Sequence, residues 1–434
     1  MAASAISWIL DDTDQVVAAG NQSRDQVRTL LATIEKQVKA SPSRCFEAST
    51  DGPVTLSVKG RTYHAGPDHI ASPDGLHDHQ QDARGGDMSR LVISLFEGPL
   101  DLVGDVHGEI DALHALLDAL GYDRRGDHPD QRRLVFLGDL CDRGPDSPAV
   151  IEFVRNLVER GRAQCILGNH EMNLLRCDGK HGNRWYLDPD HHEHHGEFAH
   201  CKIGAPHLKP AWHEFFLSLP LALERADLRV AHAAWHEPSI DALRSDDRTS
   251  LEAFEHYDEQ TRTHLRASGL EACADAEEAK FASALKTEST PTPLLPNLGK
   301  RDEILQMGNP VRVVTSGAER ITTQPFWANG EWRMCDRLQW WNEYTGRTPV
   351  IVGHYWRIAD DTSPDVSGGK PSLFHGTRFN EWLGRERNVF CTDFSVGGRY
   401  RERAKNVGSF ATRLAAVRWP EKQLVFDDAS TSPI

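Results

Sequence analysis

Three stretches decide how this chain is read: LDLVGDVHG at 100–108, RRLVFLGDLCDRG at 132–144 and AQCILGNHE at 163–171. Each opens as an apolar run of strand length and closes on glycine followed by acidic, imidazole or carboxamide side chains. Between the first two, EIDALHALLDALG sets Ile110, Leu113, Leu116, Leu117 and Leu120 on one helical face and stops at Gly121. Between the second and third, Ser147 offers an N-cap and Pro148 the first helical position. Val150, Ile151, Val154, Leu157 and Val158 then form an apolar face that ends at Gly161. Strand, helix, strand, helix, strand at this spacing predicts right-handed crossovers in a largely parallel α/β sheet.

Outward from that core, LRVAHA (228–233), PVIVGH (349–354), NVFCTDF (388–394), RLAAVRW (413–419) and QLVFDD (423–428) read as a second set of strands. Residues 236–300 are charged and helical in pattern and end in the breaker-rich STPTPLLPNLGK, so an insertion is expected at about 236–345. Upstream, the run from Gly66 to Asp87 has almost nothing to bury and reads as a linker. It separates an accessory segment at 1–90 from a catalytic domain at 91–434. Within the accessory segment, residues 5–40 hold Val27, Leu30, Leu31, Ile34 and Val38 at helical spacing, which predicts an amphipathic helix.

The chain has 434 residues, 39% hydrophobic and 26% charged, which fits a globular protein. Its 64 acidic against 49 basic side chains give a net charge of −15, which opposes nucleic acid or an anionic membrane as partner. No apolar run nears the roughly 18 residues of a membrane span, and the N-terminus lacks a basic flank before an apolar stretch. A cytoplasmic location is expected. The eight cysteines form no CxxC pair and are read as reduced; Cys141 is expected to be a buried filler.

Polar residues stand at the C-terminal strand ends, where open α/β sheets carry their sites. They are Asp105 and His107 in GDVHG, Asp139, Asp142 and Arg143 in GDLCDRG, and Asn169 and His170 in GNHE; His232 and His354 end two later strands. Any one of them could be a helix cap or a satisfied polar group. Together they form a set of carboxylates, imidazoles and a carboxamide suited to divalent manganese, iron, cobalt or zinc. One ion falls to Asp105, His107 and Asp139, the other to Asp139, Asn169, His232 and His354, with Asp139 shared. Two divalent ions, two aspartates and a bridging hydroxide leave a local charge of about +1, which draws an anionic phosphate. Arg143 offers a planar fork for two phosphate oxygens. His170 neighbours Asn169, and Asp142 is placed to orient its ring.

GDxHG, GDxxDRG, GNHE and two later histidines resemble the calcineurin-like metallophosphoesterases, and within them the phosphoprotein phosphatase branch. GDLCDRGPDS, ILGNHEMNLL and FLSLPLALERADLRVAHA are similar to the symmetrical diadenosine tetraphosphatases and bacterial protein phosphatases of that branch, and CTDFSVGG with RLAAVRWPE to its terminal strands. The resemblance covers roughly 98–428. It implies a four-layer α/β/β/α sandwich of two mixed sheets, with an N-terminal accessory segment and a helical insertion. It also implies in-line attack by a metal-bridging hydroxide, with His170 protonating the leaving oxygen, and two divalent ions, manganese first. The substrate is expected to be a phosphate monoester, on a phosphoprotein or a small metabolite; the alternative is a dinucleoside polyphosphate, and a third reading is a non-catalytic phosphate-binding module.

Ala233 and Ala234 follow His232 where the family has glycine, and 122 residues separate His232 from His354. A second phosphate-binding arginine has no clear position, and Arg357 reads better as a surface residue. The histidine-rich run at 191–200 reads as an exposed loop, and the tryptophans at 327, 332, 340, 341, 356 and 382 as core packing.

Overall fold

The structure is a computed structural model. It describes residues 89–434 apart from 181, 190–196, 329, 360–365, 368, 369 and 406, together with six short strands before residue 65. The chain divides into two compact units, Met1–Gly85 and Gly86–Ile434. In the first, Ala5–Ile6 pairs with Asn21–Gln22, Ile9–Leu10 with Val16–Val17, and Thr55–Val58 with Arg61–His64, all antiparallel. The helix expected around Val27 to Val38 and the linker at 66–87 lie outside the described residues, as does most of the histidine run.

The second unit holds two sheets. Its strands are β1 (Val92–Ser94), β2 (Leu100–Val103), β3 (Arg133–Phe136), β4 (Ala163–Cys165), β5 (Ala222–Arg225), β6 (Leu228–Ala231), β7 (Glu319–Ala328), β8 (Glu331–Arg337), β9 (Val350–Val352), β10 (Val389–Cys391), β11 (Ala415–Trp419), β12 (Gln423–Phe426) and β13 (Thr431–Pro433). One sheet runs β4-β3-β2-β11-β12-β13 and the other β10-β9-β6-β5-β1. β2, β3 and β4 are parallel, with Leu100 opposite Arg133 and Leu134 opposite Ala163. β11 joins β2 antiparallel. RLAAVRW and QLVFDD therefore complete the first sheet instead of forming part of a second set, because strand period fixes which face is buried but not which neighbour is paired.

Alternation along these strands makes the layers. Leu100, Leu102 and Val135 meet Leu223, Val230, Ile351 and Phe390 between the sheets. Val103, Leu134 and Phe136 face the other way, onto Leu113, Leu116 and Leu117 of α1 (Ile110–Leu120) and Val150, Ile151 and Val154 of α2 (Ser147–Glu159). Strands buried on both faces with helices outside give the four-layer sandwich expected of the sequence. Gly121 ends α1 in the left-handed region, as predicted. The cap of α2 is Asp146, whose side chain accepts from Ala149 N–H; Ser147 Oγ instead accepts from Asp142 N–H. Asp101 is fully buried in β2 and is neutralised by Arg132 at 2.9 Å and Arg418 at 3.0 Å.

The insertion is helical up to Ser316 and then becomes the antiparallel hairpin β7–β8. A capping box at Thr249 and Glu252 starts its 18-residue helix. Trp340 and Trp341 are buried in the core, the latter stacked on Phe374 at 5.9 Å. No helix among the described residues is long and apolar enough to cross a membrane. Cys177 is disulfide-bonded, which corrects the reading of all eight thiols as reduced.

Candidate metal centre

Asp105 and His107 follow β2, and Asp139, Asp142 and Arg143 follow β3. Asn169 and His170 open α3 (Asn169–Leu175) after β4, while His232 and His354 follow β6 and β9. The loops turn sharply: His107, Asp139, Asp142, Arg143 and His354 all have positive φ, between 48° and 71°. Non-glycine residues in this region carry strain, and their concentration here marks a site over-determined by its surroundings. Main-chain bonds knit the loops, with Val106 and His107 N–H both donating to Asp139 O. Close approach is required as well: a Cβ on Gly397 would overlap the His107 ring, and one on Gly353 would overlap the Asp105 carboxylate.

Six side chains converge on Asp139. Its Oδ2 lies 3.7 Å from His107 Nε2, 3.4 Å from His232 Nε2 and 3.9 Å from His170 Nε2. Asp105 Oδ2 is 3.9 Å from His107 Nε2. Asn169 Oδ1 is 3.2 Å from His232 Nε2 and 2.8 Å from His354 Nδ1. All five titratable members are buried. His107 Nδ1 and His232 Nδ1 lie 2.9 and 2.6 Å from the carbonyls of Cys141 and Leu137, which places a proton on each Nδ1 and turns Nε2 toward the cluster. The convergence of carboxylate, carboxamide and imidazole acceptors, with His354 Nε2 left without a hydrogen bond, fits divalent cations. Ligand atoms of Asp139, His232 and His354 lie within 4.8 Å of one another, as do those of His107, Asp139 and His170.

The electrostatics follow from burial and crowding. Burial raises Asp105, and the nearby charge of Asp393 adds to it. Asp139 is buried too, but the imidazoles of His232 and His170 outweigh that cost and hold its carboxyl well below the usual range. Burial lowers His107 and His354. His170 Nδ1 sits 2.5 Å from Asp142 Oδ2, while Asp142 Oδ1 accepts from Trp185 Nε1 at 2.7 Å. Arg143 Nη1 donates to His107 Nε2 at 2.9 Å.

Four residues escaped the sequence reading. Glu171 is fully buried and accepts the N–H groups of Asp139, Leu140 and Gly168. Asp393 is buried beside Asp105, and burial pushes it up to about 6. Arg337 of β8 lies 5.7 Å from the Tyr355 ring, and its charge lowers His354. Trp356 lies under the Arg143 guanidinium at 4.7 Å, so one member of the tryptophan group belongs to the site. The GNHE acid and the CTDF acid were visible as letters, but their burial was not. Arg357 is corrected: it is buried, donates to the carbonyls of Cys391 and Arg378, and burial lowers it to about 10. Cys141 is buried as expected.

Residues 98–265 match the family model of the calcineurin-like phosphoesterases. That stretch is similar to the calcineurin-like phosphoesterases. Members of this family are hydrolases acting on phosphoester bonds. The asymmetrical bis(5′-nucleosyl)-tetraphosphatase of Halalkalibacterium halodurans is 51% identical over 79 residues, 18% of this chain and 32% of that protein. The same enzyme from Oceanobacillus iheyensis is 45% identical over 80 residues, again 18% and 32%. The chain thus spans about a third of the length of the curated relatives it matches. Among solved structures, a cold-active protein-tyrosine phosphatase of a psychrophilic Shewanella sp. aligns over 89% of this chain and 97% of its own, at 14% identity and a TM-score of 0.41.

Proposed function

We propose that the chain is a dinuclear, metal-dependent phosphoester hydrolase with Asp105, His107, Asp139, Asn169, His232 and His354 as ligands. The observation that carries this reading is Asp139 Oδ2, set 3.7 Å from His107 Nε2 on one side of the site and 3.4 Å from His232 Nε2 on the other. When bound, two divalent ions would neutralise phosphoryl charge and supply a nucleophile at neutral pH; the donor set suits manganese, with iron, zinc or cobalt as alternatives.

The chain's own side chains supply the remaining chemistry. Arg143 binds two phosphoryl oxygens through its planar fork, moving from His107 onto the substrate. His170, held through Nδ1 by Asp142, presents Nε2 to protonate the leaving oxygen. Arg337, brought by the insertion, takes the place of the second phosphate-binding arginine that the sequence left open. In this reading 1–90 is an accessory segment to a catalytic domain at 91–434.

The Arg143 fork supports a phosphate monoester, on a phosphoprotein or a small metabolite, as substrate. The activity named for the curated relatives supports a dinucleoside polyphosphate instead. Phosphate release from p-nitrophenyl phosphate, a phosphopeptide and diadenosine tetraphosphate, side by side with Mn²⁺, separates them. Metal-dependent turnover of at least one is expected; no turnover of any of them with Mn²⁺, Fe²⁺, Co²⁺ or Zn²⁺ would overturn the proposal.

A further inference from the structure

Two guanidiniums and an indole lead outward from the site. His107 is buried, Arg143 and Trp356 are half-buried, and Arg401 is exposed. Arg143 touches His107, its guanidinium carbon lies 4.7 Å from the centre of the Trp356 ring, and that of Arg401 lies 5.8 Å from the same centre. The two guanidiniums are therefore no farther apart than the sum of those distances. A Cβ added to Gly398 would stand 3.6 Å from the indole edge.

Arg401 stands on α4 (Arg399–Ala404), and the carboxylates around that short helix are engaged elsewhere. Arg399 pairs with Asp427 at 2.6 Å and Arg403 with Glu109 at 2.6 Å. Glu402 accepts from Ala411 N–H and from Thr412. The Nε of Arg401 donates to Tyr400 Oη, and among the described residues no carboxylate pairs with it. Acids outnumber bases 64 to 49 in this chain, so a shortage of partners does not explain the arrangement. Two like charges beside one indole repel each other, and a bridging anion would relieve that repulsion.

We infer that Arg401 and Trp356 form an outer anion subsite that takes a second phosphate group when Arg143 holds the first. This rests on the phosphoesterase reading above and deepens it. The ligand class is then a polyphosphate chain, whose successive charged groups can meet both guanidiniums. A monoester with an uncharged leaving group would leave Arg401 unused.

The test is calorimetric titration of the full, Mn²⁺-loaded chain with tripolyphosphate and with orthophosphate, in the wild type, Arg401→Gln and Arg401→Lys. The wild type should prefer tripolyphosphate. Arg401→Gln should lose roughly tenfold of that preference, the worth of one charge-assisted hydrogen bond, and Arg401→Lys should keep part of it. The ratio of kcat/KM for diadenosine tetraphosphate over p-nitrophenyl phosphate should fall in parallel. An unchanged preference in Arg401→Gln overturns the subsite while leaving the phosphoesterase reading in place. Failure of both anions to bind the wild type overturns both.

Discussion

The carboxylate of Glu171 takes the main-chain N–H of Asp139 at 2.9 Å, tying the turn that begins α3 to the loop carrying the central carboxylate. Leu140 and Gly168 donate to the same side chain at 2.7 and 3.0 Å. The loop that carries Asp139 is thus set by an acid outside the proposed ligand set.

Glu171→Gln keeps the volume but replaces one acceptor oxygen with a donor, so a buried N–H loses its partner. A stability loss of about 1–3 kcal/mol is expected, together with a roughly 10- to 100-fold weaker affinity for Mn²⁺. Thermal unfolding and metal titration check both; wild-type values would show that the three hydrogen bonds do not support the site.

His170→Ala should lower kcat by roughly 10²–10⁴ while metal content stays at the wild-type level. Asp142→Asn removes the carboxylate 2.5 Å from His170 Nδ1 and should lower kcat in the same direction with KM little altered. Steady-state kinetics beside elemental analysis reads both, and full activity in His170→Ala would remove it from the role of acid.

Metal binding should depend on pH. Burial disfavours a proton on His232, but Asp139 outweighs burial and pushes the imidazole up to about 10 in the metal-free protein. The folded value is raised, so this proton stabilises the metal-free fold fully below the ordinary value of 6.5, and that stabilisation is lost as the pH rises toward about 10. A divalent ion must displace the same proton, so the apparent affinity for Mn²⁺ should rise roughly tenfold per pH unit across that window. A competitive titration with a flat profile from pH 7 to 9 would contradict this.

How much was legible in the sequence depended on whether the signal was local. Asp105, His107, Asp139, Asn169 and His170 each follow an apolar run ending in glycine, and the strand ends bring them together with His232 and His354. The partners of β11 and β12 were not legible, since both sheets bury both faces and period alone cannot choose between them. Arg357 was misread because its partners are carbonyls and aromatic rings, which leave no local pattern in the sequence. Arg337 beside Tyr355 and Arg401 beside Trp356 come from a hairpin and a short helix, and only the fold shows that proximity. The hairpin β7–β8 lies past the charged stretch at 236–300, in the part of the insertion that was given no strand reading.

The most direct measurement is the metal stoichiometry of the full chain after Mn²⁺ loading and buffer exchange, with Asp139→Asn measured in parallel. The shared carboxylate predicts about two equivalents in the wild type and fewer than one in the variant, with secondary structure retained. Less than one equivalent in the wild type, or two in Asp139→Asn, would contradict a centre built around Asp139.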